Sequence, residues 1–449
     1  MEKQTTKGRE RITALFDAGT FVEMGAFVRR DEDYDAVLCG YGAIDGKPAY
    51  AFVQDSDRNK GAFDAKGAAK IARLYEQAVR CGAPVIGVFD SAGAVVYDGA
   101  AALGAYGRLM KCVEGASGII PQIAYVTGVC SGMAATAAAL FDLTVTVKDQ
   151  SELFVTPPSV TGEDNGKTAY AEANGLSAIN ADTEADATAA VRALIGLLPR
   201  NNQDIADVEP TDDINRAVAI DGLTGLSLVE ALADNGIAVA LWSGYAGEVQ
   251  TALARIGGST VALMAGDNRI NDGKLTAKGA AKAAHLIALS DAFSIPVFTL
   301  VDAAGTDPVA DAAQSGAFAG LAAAYLSATC PKITAVVGKA YGAAFTLLGS
   351  RSVGADLALA LPDAVISVMD PTAAVAFVWN DRITQEKSRA EVEAEWIRTN
   401  ATPERAAADG EIDDVVPAAE LRQRLCAAVY MLAEAADATP ARKHGVPTL

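Results

Sequence analysis

Histidine is almost missing from this chain: His285 and His444 are the only two among 449 residues. Neither stands at a useful spacing from a nucleophile or a second metal ligand, and no GxSxG, HExxH, Walker or dinucleotide pattern occurs. Side-chain acid–base and metal catalysis therefore have little support. The six cysteines are scattered and form no CxxC, which argues against a zinc ribbon; most lie in apolar stretches and read as buried small hydrophobes. Aromatics are only 6 % of the residues, so helices and strands must pack through Ala and Gly. Positive charge is short as well. The 37 Lys and Arg stand against 56 Asp and Glu, a net charge of −19, which argues against a nucleic-acid partner. No uninterrupted apolar stretch reaches the roughly 18 residues of a membrane span. The charged start MEKQTTKGRERI has no apolar run behind it, so no signal peptide is expected. These absences predict a cytoplasmic chain.

What is present is a duplication. AKGAAKIARLYEQAVRCGAPVIGVFDSAG at 65–93 returns as AKGAAKAAHLIALSDAFSIPVFTLVDAAG at 277–305, an offset of 277 − 65 = 212. Upstream, Ile44, Gly46 and Asp55 match Ile256, Gly258 and Asp267 at that offset. PQIAYVTGVCSGMAATAAALFD from Pro121 and PKITAVVGKAYGAAFTLLGSRSVGAD from Pro331 form a second pair. Self-similarity over such a span means two copies of one fold. The polar run PRNNQDIADVEPTDDIN reads as the linker, which sets the domains at 1–214 and 215–449. Each copy has the order hairpin, helix, buried strand, helix, buried strand, Ala-rich helix. The helices are expected at 64–81 and 99–117, then at 276–293 and 313–328. Strands alternating with helices predict an α/β fold built from ββα units.

Each copy carries two glycine turns after its strands. In the first they are Asp90-Ser91-Ala92-Gly93 and Gly128-Val129-Cys130-Ser131-Gly132-Met133. In the second they are Asp302-Ala303-Ala304-Gly305 and Gly338-Lys339-Ala340-Tyr341-Gly342-Ala343-Ala344. The later turn of each copy opens a helix, whose first N–H groups lack an internal acceptor. Two such donors converging on one point form an oxyanion hole, which stabilises an enolate or a ureido oxyanion without a titrating side chain. One such turn alone reads best as an aid to tight packing. Four at equivalent positions favour a site.

At these residues the sequence resembles the carboxyltransferase family of biotin-dependent enzymes, which includes propionyl-CoA carboxylase beta, methylmalonyl-CoA decarboxylase alpha and the transcarboxylase large subunit. The resemblance runs from about residue 7 to 435. It is carried by RERITALFDAGTFVEM, GYGAIDGKPAY, GAPVIGVFDSAGA, GIIPQIAYVTGVCSGMAA, PRNN, CPKITAVVGKAYGAAF and AAADGEIDDVVPAAELR. It implies tandem duplicated crotonase-like domains. The N-terminal one would take a short acyl-CoA ester of the propionyl or methylmalonyl type, and the C-terminal one biotin carried on another protein. The family's oxyanion donors map to the N–H groups of Gly132 and Met133 for the thioester, and to Ala343 and Ala344, after Gly342, for biotin. Ala92, Gly93, Ala94 and Gly305 would line the substrate turns. The chain has no biotinyl Ala-Met-Lys-Met motif and no ATP-binding carboxylase module. The resemblance therefore implies a biotin carrier protein as partner, served by a biotin carboxylase or by membrane decarboxylase subunits. It also implies a homo-oligomer, commonly a dimer of trimers, with a site between opposite halves of two copies.

The chain departs from the family at several points. Ala92-Gly93-Ala94-Val95 replaces a Gly-Gly-Ala-Arg turn, Met133 replaces a glycine, and Ala303–Pro308 replaces a Pro-Gly-Phe-Leu-Pro-Gly loop. Two other readings stay open. One is a non-catalytic scaffolding paralogue. The other is a crotonase-type acyl-CoA hydrolase or isomerase, which needs a carboxylate near Gly93 or Gly132; Asp98 is the candidate. Binding polyanionic CoA on an acidic protein requires a local basic patch, for which Arg29, Arg30, Lys60, Lys66 and Lys70 are the candidates.

Overall fold

The computed structural model describes residues 5–30, 33–309, 312–433 and 435. The chain divides into two units, Met1–Ala206 and Asp207–Leu449. The division falls inside the polar run read as the linker, earlier than residue 214.

The first unit contains β1 (Val22–Met24), β2 (Arg29–Arg30), β3 (Asp33–Tyr34), β4 (Val37–Ile44), β5 (Lys47–Gln54), β6 (Val85–Ser91), β7 (Gln122–Ser131), β8 (Leu143–Val147), β9 (Glu152–Phe154) and β10 (Ile179–Ala181). Its main sheet runs β1-β4-β5-β6-β7-β8-β10, with β9 on β7, while β2 and β3 pair with each other. The β1–β4 and β4–β5 pairs are antiparallel, and the ladder is parallel from β5 onward. Parallel strands need both faces covered, which is why β6 reads as an unbroken apolar run. Helices Ala65–Cys81 and Ala100–Ala116 supply cover. Their Ile71, Leu74, Tyr106 and Leu109 share one buried cluster with Phe52, Phe89 and Val126 of the sheet. The Asp64 side chain caps the first of these helices on the N–H groups of Lys66 and Gly67.

The second unit contains β11 (Ala238–Leu241), β12 (Val249–Ile256), β13 (Ser259–Gly266), β14 (Val297–Ala303), β15 (Lys332–Tyr341), β16 (Leu357–Ala360), β17 (Val365–Ser367) and β18 (Asp414–Val415). Its sheet runs β11-β12-β13-β14-β15-β16-β18, with β17 on β15, the same path as the first. The duplication read from the sequence is therefore a duplication of topology.

Ahead of that polar run the chain is folded into the first unit. It holds β10 and the helix Glu184–Leu197, and Tyr125 of β7 donates to the Glu184 carbonyl at 3.0 Å. In the second unit β18 takes the place of β10 at the end of the sheet. The C-terminal tail is helical, with helices Arg389–Asn400 and Pro403–Ala408 separated where Asn400–Pro403 predicts a break.

The last helix, Leu421–Leu432, is anchored by a buried ion pair. Arg422 Nη2 meets Asp234 Oδ1 at 2.5 Å, and neither side chain is more than 2 % exposed. Asp234 also accepts the Gly257 and Gly258 N–H groups at 3.0 and 2.7 Å, while Arg422 Nε donates to the Leu232 carbonyl at 3.1 Å. Removing the arginine leaves a buried, uncompensated carboxylate. Arg422→Ala should destabilise the second unit by about 3–5 kcal/mol. Trp242, Trp379 and Trp396 all lie in that unit, so urea unfolding followed by tryptophan fluorescence reports it directly.

Candidate functional site

In both units the two central parallel strands lose register near their C-terminal ends. Phe89 pairs with Val126, and the next pair is Ser91 with Cys130, so Thr127, Gly128 and Val129 oppose Asp90 alone. Val301 pairs with Val336 and Ala303 with Ala340, so Val337, Gly338 and Lys339 oppose Asp302. Beyond each bulge the strand ends in a glycine. Gly132 has φ 61° and ψ −125°, Gly342 φ 54° and ψ −134°, a conformation that side chains rarely adopt. Each caps a short helix, Met133–Ala138 or Ala343–Leu347.

These glycines spend their own N–H groups. Gly132 donates to the Phe154 carbonyl at 2.8 Å, and Gly342 to the Ser367 carbonyl at 2.9 Å. β9 and β17 are thereby tied to the turns. The N–H groups that follow, of Met133, Ala134, Ala343 and Ala344, have no acceptor among the described residues, as expected for a first helical turn. The resemblance implied Gly132 and Met133 as the donors. The Gly132 N–H is committed, and the available pair shifts to Met133 and Ala134, the counterparts of Ala343 and Ala344.

The earlier turn lies beside the later one. Ser91 Oγ donates to the Gly61 carbonyl at 2.6 Å and accepts the Gly93 N–H at 3.0 Å. Ala92 N–H goes to the Lys60 carbonyl at 3.0 Å. Phe63 bonds on either side of Ala94, through the Gly93 carbonyl and the Val95 N–H, at 2.9 and 3.1 Å. Ala94 N–H has no acceptor among the described residues. A Cβ on Gly93 would stand 3.4 Å from Ser131 Oγ, so the two turns touch. Ala94 and Met133 pack on the same apolar cluster. Ala92, Gly93, Ala94, Gly132 and Met133 are thus gathered at one edge of the first unit. The second unit repeats this with Gly305, whose carbonyl accepts Leu275 N–H at 3.0 Å, beside Gly342, Ala343 and Ala344. A Cβ on Gly305 would meet the Tyr341 carbonyl at 3.9 Å.

A cavity of about 410 Å³ opens at the second turn, lined by Gly342, Ala343, Thr346, Ser367, Val368 and Arg405 among others. Ser367 Oγ is buried without a hydrogen-bond partner. Ser367 and Phe154 escaped the sequence reading, because a carbonyl that fixes a turn leaves no residue-type signature.

The basic candidates divide. Arg30 is bound to Asp64 at 2.5 Å and to Asp98 at 2.7 Å, and Lys70 to the Val37 carbonyl. Lys66 is exposed and donates to the Arg29 carbonyl at 2.8 Å. Lys60 is exposed next to the earlier turn, through its carbonyl on Ala92. The Arg30 hydrogen bonds hold the Asp98 carboxyl below the usual range, so it stays ionised and has no proton to give. His285 is exposed and packs edge-on against Trp242, with ring centres 5.1 Å apart. His444 lies outside the described residues.

Paired α/β units that each end their central strands in glycine turns make this a tandem crotonase-like fold. The family model of the carboxyl transferase domain matches residues 3–447, and the chain belongs to that family. A propionyl-CoA carboxylase carboxyltransferase subunit from Haloferax mediterranei is 33 % identical over 484 residues, covering 99 % of this chain and 93 % of that one. The methylmalonyl-CoA decarboxylase alpha subunit of Veillonella parvula is also 33 % identical, with 99 % and 94 % covered. The crystal structure of transcarboxylase 12S, described as a hexamer and a multienzyme core with methylmalonyl-coenzyme A and methylmalonic acid bound, matches with a TM-score of 0.91 at 32 % identity. It covers 100 % of this chain and 92 % of its own. Among the described residues no helix is long and apolar enough to cross a membrane.

Asp98 is ion-paired with Arg30, and His285 lies exposed with its ring against Trp242; neither is assigned proton transfer. Asp98→Asn and His285→Gln should each leave turnover within a few fold. A folded variant slowed by about 100-fold or more, the scale of a lost general acid–base, would restore the hydrolase or isomerase reading.

Proposed function

We propose that the chain is the carboxyltransferase subunit of a biotin-dependent system. It moves a carboxyl group between a short acyl-CoA, of the propionyl or methylmalonyl type, and biotin carried on a partner protein. The observation that carries this is the repeated turn, which leaves backbone N–H groups unspent at equivalent places in a chain of this family.

The first unit takes the acyl-CoA. When the bond between the α-carbon and its carboxylate breaks, the electron pair passes into an enolate, whose oxygen accepts from the N–H groups of Met133 and Ala134 beside Ala94. Preformed donors of this kind stabilise the developing charge without reorganising. Lys60, Lys66 and Arg29, exposed near the first turns, are the cations offered to the CoA phosphates against the acidic field of the chain. The second unit takes biotin, and its residues suit a neutral ureido group: unspent Ala343 and Ala344 N–H groups, the unpartnered Ser367 hydroxyl, and a cavity of about 410 Å³. Biotin would supply N1 as the acceptor of the carboxyl group, its N1 proton passing to the α-carbon of the enolate, or as the donor in the reverse sense.

Each site has an apolar rim. Val96 and Tyr97 are 85 % and 100 % exposed after the first turn, and Val368 and Phe377 are 77 % and 82 % exposed near the second. Such rims support a site completed between opposite halves of two copies, within a homo-oligomer of the dimer-of-trimers kind. The further partners are a biotin carrier protein and the biotin carboxylase, or membrane decarboxylase subunits, that exchange with it.

Proline tests the donors cleanly, because it is tolerated at the first helical position yet has no N–H. Ala343→Pro and Met133→Pro should each lower carboxyl transfer from methylmalonyl-CoA to biotin by about 100–1,000-fold. Met133→Ala controls for the lost side chain, and circular dichroism checks the fold. Native protein that transfers no carboxyl group from methylmalonyl-CoA or malonyl-CoA to biotin or a biotinylated carrier refutes the function. Full activity in both proline variants refutes the backbone account alone.

A further inference from the structure

We infer that Asp90 and Asp302 are equivalent positioning residues, one in each unit, whose carboxylates fill the strand bulges and so aim the two glycine turns. Each aspartate is the single residue that faces three on the neighbouring strand. A bulge of this kind leaves backbone groups without ladder partners and bends the strand. In the second unit the carboxylate replaces a lost acceptor directly: Lys339 N–H donates to Asp302 Oδ1 at 2.9 Å. The fit is close enough to exclude any side chain opposite. A Cβ on Gly128 would fall 2.2 Å from Asp90 Oδ1, and one on Gly338 2.4 Å from Asp302 Oδ1.

The second partner of each carboxylate is duplicated too. Ser56 Oγ donates to Asp90 Oδ2 at 2.7 Å, and Asn268 Nδ2 to Asp302 Oδ2 at 2.6 Å. Ser56 and Asn268 are related by the repeat, 268 − 56 = 212. The duplication thus kept the geometry while changing the donor.

The units then diverge. In the first, Arg11 reaches Asp90 at 2.6 Å and Glu184 at 2.8 Å, and touches the bulge itself at the Thr127 carbonyl, 3.3 Å away. Gln150 donates to the same carbonyl at 2.7 Å. In the second, the Lys339 ammonium goes on to Asp272 at 2.8 Å, and the Asp272 carbonyl takes the Ala304 N–H at 3.2 Å. Asp302 therefore governs both the later turn, through the strand, and the earlier one, through Asp272. Neither carboxylate is a catalytic residue. Both are spent on these donors, and the residues they move are the ones that carry the proposed N–H groups. Backbone donors work only if held to within a fraction of an ångström, and a misplacement of about 1 Å costs about 100-fold.

This inference rests on the proposed carboxyl transfer, and the test separates the two. In the full chain, Asp302→Ala should lower kcat for transfer to biotin by about 10–100-fold while KM for the acyl-CoA stays within about twofold. Asp302→Asn keeps an oxygen for Lys339 N–H and should recover most of the loss. Amide exchange at Lys339, measured without any substrate, should quicken in Asp302→Ala and not in Asp302→Asn. Unchanged kcat in a folded Asp302→Ala, or equal losses in the Ala and Asn variants, overturns the proposal. If Asp302→Ala does not fold, Asn268→Ala carries the test: a severalfold fall in kcat supports it, and native kcat overturns it. A native protein with no transfer activity refutes the function reading, and the Lys339 exchange then decides the positioning role by itself.

Discussion

Gly132 and Gly342 occupy a backbone region near φ 60° and ψ −130° that a Cβ makes costly, and the arrangement at the end of each central strand follows from that. The conformation turns a buried strand into a helix within one residue. It directs the glycine's own N–H back to a neighbouring carbonyl, Phe154 or Ser367, and leaves the next N–H groups without partners. No side chain creates this arrangement. Side chains decide only how firmly it is held and what borders it.

The two units hold the same turn with different means. The first surrounds its bulge with an arginine, two carboxylates and a glutamine drawn from helices and loops far apart in sequence. The second relies on a backbone N–H and a lysine–aspartate link. The walls differ as well, with Met133 where the second unit has Ala343. Identical backbone geometry with unlike borders is what two ligands of different shape require, if both need a stabilised oxygen.

Much of the architecture was legible because the repeat announces it. Matching segments at nearly constant offset predicted two topologies of the same order, and the sheets agree strand for strand. The site was legible to the level of which turns matter, since glycines after apolar strands mark them. It was not legible to the level of which N–H is free. That depends on where Phe154 and Ser367 present their carbonyls, and carbonyls are written in no residue type. The repeat itself held a clue: Gly132 aligns with Gly342, so donors assigned to Gly132 and Met133 on one side and to Ala343 and Ala344 on the other were out of step by one residue. β10 and the helix Glu184–Leu197 have counterparts in β18 and the helix Leu421–Leu432, but no segment matched at the repeat offset marks either pair in the sequence. Long-range pairs such as Arg11 with Asp90 leave no periodic trace at all.

Main-chain donors have a consequence for how such a chain can change over generations. A catalytic histidine or cysteine is lost by one nucleotide change, whereas a peptide N–H survives nearly every substitution except the one to proline. Drift can therefore remodel the surroundings of each turn without erasing the device. A structure sharing only 32 % of its residues with this chain keeps the same fold. An ancestral gene that doubled would have carried two working copies of the turn from the outset. Each half was then free to refit its walls independently, as Met133 in one and Ala343 in the other illustrate.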